Sequence, residues 1–593
     1  MEYLVFVLAM VSFAAVIFGT EVARGAREKK DFMNLLYKNC TRLNDKKYSL
    51  ERYVRMGSFF ERHPKEGQLD DITWNDLGLD DIFKRMNYTL SASGEEYLYY
   101  TLRTLRQNEE ELDHLEDVIE YFREHPQERV QIQFSMKKLG YTGKFSLYDY
   151  LDNLDFLGKR SNHKSILLDL LFLPLIGLLW IQFSIGVLGI VILVVYNIIS
   201  YFKEKADIDP YIVSFSYIMR LMEACREMEK VAVPVCAEEW ESLRESGRRM
   251  QGMKRNSYWV MSPYRGNTSG DILAVVMDYV RMVFHVDLIK FNSMLKFLRG
   301  HIEDVDQLIQ TVGYVETAIA IGIYRGSVED SAKEGRKLLV SRKTEDEPEE
   351  SPDKDPLLVQ GKGWCVPKFI SGRRVGMEEG YHPMLSDPVK NSIGAERGVL
   401  LTGSNASGKS TFLKTMALNA ILAQTIHTCT AEDYEAPFFH VYSSMALRDD
   451  MGAGESYYIV EIKALKRILD AAASGTENVL CFVDEVLRGT NTVERIAAST
   501  QILKSLAGSG ILCFAATHDI ELTELLGNEY DNYHFEEDVR DGDVYFNYRL
   551  MPGKATTRNA IRLLELMGFD PKIIEKAYGQ AEEFVATGSW QCI

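Results

Sequence analysis

The segment Gly403–Thr411 constrains what this chain can fold into more than any other stretch. It reads Gly-Ser-Asn-Ala-Ser-Gly-Lys-Ser-Thr and matches the pattern G-x-x-x-x-G-K-[ST]. The apolar run Val399–Leu401 precedes it, and a segment with the pattern of a helix follows from Ser410. A strand, a glycine-rich turn and the start of a helix are the context that this phosphate-binding loop requires. The sequence therefore predicts a nucleotide-binding loop between a strand and a helix.

This loop is predicted to hold ATP through its backbone and two side chains. The glycines let backbone N–H groups surround the phosphates, Lys409 reaches the β- and γ-phosphates, and the Ser410 hydroxyl ligates Mg²⁺. The predicted ATP-binding residues are those of the whole loop: Gly403, Ser404, Asn405, Ala406, Ser407, Gly408, Lys409, Ser410 and Thr411.

Two further β-rich runs supply candidate catalytic side chains beside Lys409. The apolar run 479–483 ends in Asp484 and Glu485. Asp484 is predicted to complete the Mg²⁺ site and Glu485 to polarise the attacking water, unless both acids only cap the next helix. His518 follows the run 511–517, where it can face the γ-phosphate or simply pack.

The rest of the chain shows two kinds of sequence pattern. Residues 359–593 alternate short β-rich runs with helical patterns, which is typical of a parallel sheet with crossover helices. Residues 69–164 and 203–340 carry apolar residues at helical spacing, such as Leu98, Leu102 and Leu105. The predicted class is an α/β domain joined to an all-α core by an acidic, proline-containing linker.

Charge and cysteine content exclude some classes of protein. The formal net charge of −18 argues against a protein coated in positive charge, although a local basic face for DNA remains compatible with it. Eight cysteines without a C-x-x-C pair argue against a zinc ribbon or a disulfide scaffold. They favour a protein whose cysteines are reduced and whose main part faces the cytosol.

Two apolar stretches predict helices that span a membrane. Residues 3–19 form an uncharged run near the lower length limit for a span, and the basic residues Arg24 and Arg27 follow it. A cleaved signal peptide is the alternative for this run. The block Ser165–Phe202 contains one acid, Asp169. As a single helix it would be about 57 Å long, far more than a bilayer core needs.

Two short helices joined near 182–184 suit the second block better. Basic residues flank both of its ends, which places both ends in the cytosol. The alternative is the buried helix pair of a soluble protein. The sequence thus predicts a multi-pass protein of the cell membrane, with three spans in the lipid bilayer, the N-terminus outside and the remainder in the cytoplasm.

These motifs, in this order, resemble the MutS family of DNA mismatch-repair ATPases. Gly380-Tyr-His-Pro-Met resembles the start of the family's ATPase domain, Asp449–Glu461 its signature segment, and Asp484–Asn491 its Walker B strand and turn. Thr517-His518 completes the ATPase set, and Leu79–Asn87 resembles the start of the family's helical core. The likeness extends over residues 70–160 and 205–590.

The resemblance implies a P-loop ATPase of the ABC type that uses ATP and Mg²⁺. It also implies a homodimer formed through the ATPase domains, and binding to DNA. In such a dimer one subunit supplies the loop, Asp484, Glu485 and His518, and the other contributes Gly454 and Ser456 of its signature segment.

With this resemblance the chain divides into seven predicted segments. They are an anchor and its basic flank at 1–30, a juxtamembrane segment at 31–68, core halves at 69–164 and 203–340, a transmembrane hairpin at 165–202, an acidic linker at 341–358 and a MutS-like ATPase domain at 359–593.

The chain also departs from the family pattern. The stretch between the predicted anchor and the core is too short for the family's mismatch-reading domain, and a hairpin interrupts the core. The compact basic cluster that the sequence offers for DNA is Arg248, Arg249, Lys254 and Arg255, with a solvated loop as the alternative.

We therefore expect a membrane-anchored, cut-down MutS-like ATPase, an ATP-driven dimeric switch that binds DNA or intermediates of DNA repair and recombination. One alternative is an ATP-driven membrane switch that acts on a protein partner without binding DNA. A further alternative is a subunit of an ABC transporter.

Overall fold

The computed structural model describes most of the chain. The described residues are 19–20, 23–24, 26–37, 46, 48–143, 145–254, 260, 272–346, 362–404, 407–445, 457–474, 478–508, 510–540, 543–555, 561, 564–565 and 567–587. Residues 3–18 of the first predicted span lie outside this set. So do the predicted site residues Asn405, Ala406, Gly454, Ser456 and Arg255.

The chain forms two compact units. The first comprises Met1–Pro64, Met86–Tyr100 and Asp117–Tyr324, and the second comprises Lys65–Arg85, Thr101–Glu116 and Arg325–Ile593. Several boundaries between the units fall inside helices, so single helices contribute residues to both.

Helices dominate the first half of the chain. Those before the apolar block are α1 (Leu50–Arg62), α2 (Asp71–Leu77), α3 (Leu79–Met86), α4 (Ala92–Arg103), α5 (Glu109–Glu124), α6 (Pro126–Leu139) and α7 (Leu147–Asp152). The apolar block forms α8 (His163–Leu170), α9 (Phe172–Ile181) and the start of α10 (Phe183–Met228). They are followed by α11 (Ala237–Arg249), α12 (Ile272–Phe284), α13 (Val286–Leu298) and α14 (Ile302–Asp346). The first residues of the predicted linker, 341–346, therefore continue a helix.

The apolar block has the two-part form that its length predicts. The helical path breaks at Gln182, whose backbone is extended, so the join predicted near 182–184 is confirmed. By length and composition, His163–Ile181 and Phe183–Met228 could each cross a membrane, and only 6% and 22% of their most apolar windows are buried within the protein. Most residues of these two windows therefore do not pack inside the described protein.

Close packing and two polar contacts hold the hairpin within the first unit. A Cβ on Gly189 would lie 2.7 Å from the Leu175 side chain, so the glycine lets α10 approach α9 closely. The Asn197 amide donates to the Val283 carbonyl at 2.8 Å, and the Tyr201 hydroxyl donates to Asp287 at 2.7 Å. The base of the hairpin is therefore attached to the junction between α12 and α13.

The second unit contains two mixed sheets. The strands are β1 (Lys368–Phe369), β2 (Val375–Gly380), β3 (Asn391–Ala395), β4 (Gly398–Thr402), β5 (Asp433–Ala436), β6 (His440–Ser444), β7 (Val479–Asp484), β8 (Ile511–Ala516), β9 (Tyr530–Arg540) and β10 (Asp543–Pro552). The smaller sheet has the order β1-β5-β2-β3 and the larger has the order β10-β9-β4-β8-β7-β6. In the larger sheet every neighbouring pair except β9 and β10 is parallel, as the alternating pattern predicts.

Among the described residues, four helices of the second unit lie between strands in the chain, and a fifth helix follows the last strand. They are α15 (Lys409–Ile426), α16 (Tyr457–Ala473), α17 (Thr492–Leu506), α18 (Glu521–Leu525) and α19 (Pro571–Thr587). Every residue of β7 and β8 is buried, because the faces of a sheet built by crossover connections are covered by helices.

A buried ion pair joins α5 and α14 in the second unit. The fully buried Arg325 guanidinium makes two 2.6 Å hydrogen bonds to the Glu116 carboxylate and donates to the His427 carbonyl at 2.9 Å. Burial by itself would raise the pKa of Glu116. The hydrogen bonds and charges of Arg325 and His427 outweigh it and lower that pKa to about 2.

We predict that Glu116→Ala destabilises the protein by about 3–5 kcal/mol, because it removes the carboxylate that neutralises the buried Arg325 charge. Since the pKa of Glu116 is depressed on folding, its contribution is complete above the unfolded pKa near 4.5 and is lost as the pH falls towards 2. Urea unfolding of the full chain in detergent measures both effects. The control is Asp113→Ala, an exposed acid on the same helix. An equal loss of stability in both variants would contradict the prediction.

Candidate nucleotide-binding site

The glycine-rich loop has a backbone that requires two of its glycines. Gly403 and Gly408 have φ values of 138° and 108°, which side chains rarely adopt. A Cβ on Gly403 would also lie 2.9 Å from the Phe535 carbonyl oxygen and 3.1 Å from Ser407 Oγ. The two glycines of the motif are therefore required sterically in this turn between β4 and α15.

Two polar groups of the loop are placed to receive an anion. The Lys409 side chain is almost entirely buried, and its ammonium donates to the carbonyls of Gly403 at 2.8 Å and Ser404 at 2.7 Å. Among the described residues, the buried Ser407 hydroxyl has no hydrogen-bond partner. A charged amine and an unsatisfied hydroxyl in one loop fit the phosphates of a nucleotide.

The two predicted Mg²⁺ ligands lie together. The Ser410 hydroxyl, in the first turn of α15, is 2.5 Å from Asp484 Oδ2 at the end of β7. Both groups offer oxygen donors, which Mg²⁺ prefers, and the remainder of its shell usually comes from water and substrate phosphates. The described residues contain no group of three or more His, Cys, Asp or Glu that could hold a metal ion by themselves.

Glu485 is held in a constrained position beside this pair. Its backbone has a φ of 57°, which costs a non-glycine residue about 1–2 kcal/mol, and its N–H donates to the Ala516 carbonyl at 2.9 Å. Its Oε1 lies 2.9 Å from His518 Nε2, and its Oε2 lies 2.6 Å from Arg488 Nε. The structure therefore brings the predicted Glu485 and His518 into direct contact.

The environment favours the charged form of Glu485. Burial would raise the pKa of Glu485, but the hydrogen bond from His518 and the positive charges of Arg488 and Lys409 lower it on balance. The carboxylate is thus ionised at neutral pH and available to accept a proton from a water molecule.

A cavity of about 520 Å³ opens beside the loop, within the usual size range of ligand sites. Lys409, Ser410 and Glu485 lie on its polar side. His382, Leu385 and Val389 line another side. Burial, together with the charges of Lys414 and Arg85, lowers the pKa of His382 to about 4, so this imidazole is neutral at neutral pH. A flat uncharged ring could pack against this wall.

Sequence reasoning missed several residues of the cavity and its surroundings. Asn391, Phe535 and Tyr548 line the cavity from β3, β9 and β10, and no motif marks them because they are far from the loop in sequence. Arg488 lies within the segment that resembles the Walker B strand and turn, and the motif assigns it no role. Its contact with Glu485 has one signal in the sequence. Arg488 is a basic residue three positions after this acid, in a turn that contains glycine.

The candidate DNA cluster is only partly available for phosphate. Arg249 Nε is 2.5 Å from Asp304 Oδ1, so its charge is already paired. Arg248 instead lines a groove of about 190 Å³ between α10 and α11, together with Arg226 and Arg244. Among the arginines of the predicted cluster that the structure describes, Arg248 is thus the better candidate for contacting an anion.

Comparison with known proteins agrees with these features. A family model described as MutS domain V matches residues 399–585. The chain is 33% identical over 220 residues to the DNA mismatch repair protein MutS of Thermus thermophilus. This match covers 36% of this chain and 26% of that protein. It is 34% identical over 182 residues to the DNA mismatch repair protein MutS 2 of Haloarcula marismortui. This match covers 30% of this chain and 19% of that protein.

A third relative is the DNA mismatch repair protein MutS of Lactobacillus delbrueckii. It is 29% identical over 244 residues, covering 39% of this chain and 28% of that protein. These matches span 19–28% of the length of the three relatives, so the shared region is a domain and not the whole protein.

Proposed function

We propose that this chain, a member of the MutS family through its domain V, is a membrane-anchored ATPase that works as a dimeric switch on DNA. The observation that carries the ATPase part is the convergence of Lys409, Ser410 and Glu485 on one cavity, with Asp484 in contact with Ser410. The names of the relatives support the DNA part, and the exposed apolar hairpin supports the membrane part.

The side chains have distinct tasks in ATP hydrolysis. Mg²⁺-ATP supplies the phosphoryl group and a cation that neutralises charge. Lys409 would exchange its two carbonyl partners for phosphate oxygens, and Ser410 and Asp484 would hold the cation. Glu485 orients a water molecule and accepts its proton, while His518 fixes the direction of the carboxylate.

Dimerisation follows from the family resemblance. Gly454 and Ser456 would complete the site of the second subunit, but both residues lie outside the described part of the chain. Nucleotides shared between two subunits would make the association depend on the γ-phosphate, which is the property that a switch needs. Confinement to a membrane would raise the effective concentration of the subunits.

We predict that Lys409→Ala and Glu485→Gln separate binding from chemistry. Loss of a charge-assisted phosphate contact, worth about 1.5–3 kcal/mol, should raise the Kd for ATP about 10- to 100-fold in Lys409→Ala. Glu485→Gln should bind ATP normally and hydrolyse it at least about 100-fold more slowly, because it lacks the proton acceptor. Equilibrium binding and single-turnover assays measure the two effects.

The control for this pair is Lys504→Ala, a surface lysine on α17 whose side chain is 60% exposed. It should match the unaltered protein in both assays. Unchanged ATP affinity in Lys409→Ala together with unchanged turnover in Glu485→Gln would refute the proposed ATPase.

The DNA proposal makes a prediction about two neighbouring arginines. Affinity for DNA should fall steeply with salt, since phosphate contacts release counterions. Arg248→Ala should reduce the log–log salt slope by about 1, whereas Arg249→Ala should change it less because Asp304 already pairs that charge. The assay is salt-titrated binding of duplex, mismatched and branched DNA to the solubilised protein. Absence of binding at low salt would favour a protein partner instead.

The membrane proposal predicts which residues face outwards. In intact cells an impermeant thiol reagent should label Ser184→Cys, in the first turn of α10, directly after the break at Gln182. Glu204→Cys, beyond the proposed span, should react only after the membrane is permeabilised. Equal labelling of both positions before permeabilisation would contradict the hairpin, and the chain without added cysteines provides the background.

A further inference from the structure

The turn that follows β7 depends on contacts from outside itself. Glu485 and Leu487 both have left-handed backbones, with φ values of 57° and 59°. Neither residue is a glycine, so neighbouring groups must hold this conformation in place. The Ser499 hydroxyl supplies one contact, donating to the Val486 carbonyl at 3.3 Å.

The strongest of these contacts comes from Glu461 on α16. This residue lies in the second turn of the helix and is 5% exposed. Its carboxylate accepts a short hydrogen bond from the Leu487 backbone N–H, and the Arg488 backbone N–H also faces it. A buried carboxylate oxygen thus satisfies the Leu487 amide of the irregular turn.

Arg488 connects this anchored backbone to the candidate catalytic carboxylate. Its Nε lies 2.6 Å from Glu485 Oε2, and one of its terminal nitrogens lies 3.8 Å from Asp484 Oδ1. The backbone of Arg488 is therefore fixed by α16, while its side chain fixes Glu485. A displacement of Glu461 would move both Arg488 and the direction in which Glu485 presents its oxygens.

We propose that Glu461 is a positioning residue for ATP hydrolysis, which sets the orientation of Glu485 through the Leu487–Arg488 backbone and the Arg488 side chain. This proposal rests on the proposed ATPase activity. Glu461 does not line the cavity, so its removal should change the chemical step and leave nucleotide affinity alone.

The first test compares turnover with affinity. Misplacing a catalytic group by about 1 Å can cost about 100-fold in rate, so Glu461→Ala should lower kcat by about 10- to 100-fold. The Kd for ATP should stay within about twofold of the unaltered value, because phosphate contacts are intact. Glu461→Gln keeps an acceptor oxygen of the same shape and should recover most of the rate.

Two further variants separate positioning from general damage. Asp470→Ala removes an exposed acid from the same helix and should behave like the unaltered protein. Combining Glu461→Ala with Arg488→Ala should cost little more than Arg488→Ala alone, since both residues act through one chain of contacts.

A second measurement does not depend on hydrolysis. In the unaltered protein the amides of Leu487 and Arg488 should exchange slowly with solvent deuterium. Glu461→Ala should accelerate this exchange, while Glu461→Gln should largely preserve the protection.

The outcomes distinguish the two proposals. Absence of ATP turnover in the unaltered protein would refute the proposed function. Normal turnover in Glu461→Ala would refute the positioning role alone. The positioning role would also be refuted if Glu461→Ala lost ATP affinity and turnover in parallel and Glu461→Gln recovered neither. Fully additive effects of Glu461→Ala and Arg488→Ala on turnover would refute it as well.

Discussion

The parallel register of β4, β8 and β7 is the constraint on which the candidate site depends. Leu401 of β4 and Asp484 of β7 both pair with Ala516 of β8, so the carboxyl ends of the three strands lie side by side. Residues that follow these ends are far apart in sequence, yet the sheet brings the loop, Glu485 and His518 to one edge. Strands β7 and β8, which end at this edge, are fully buried, so the sheet sets the relative positions of the segments that follow them.

The site also shows how positive groups are used to hold an acid ready for chemistry. Glu485 lies in an unfavourable backbone conformation and is partly buried, which would normally favour its neutral form. His518 and Arg488 each take one of its oxygens and reverse that preference. The same two contacts define where the carboxylate points, so charge and geometry are set by the same residues.

Much of this arrangement could be predicted from sequence because local motifs carry it. The loop pattern, the apolar run before Asp484 and the break in the apolar block near Gln182 each reflect a constraint within a few neighbouring residues. The wall formed by Asn391, Phe535 and Tyr548, and the contact of Glu461 with Leu487, arise from tertiary packing between distant segments. The pairing of Arg249 with Asp304 is of the same kind, since nothing near Arg249 in sequence indicates it.

In the first unit, polar contacts fix the position of the apolar hairpin relative to α12 and α13. A polar group inside a bilayer must find a partner within the protein, because lipid offers none. The Asn197 side-chain N–H, within the apolar part of α10, donates to the Val283 carbonyl, and the Tyr201 hydroxyl one turn later donates to Asp287. Sliding the hairpin outwards would separate both pairs, so the proposed anchor is fixed to the helical unit by its polar residues. Since α10 is helical from Phe183 to Met228, the proposed membrane segment and the rest of the helical unit share one helix.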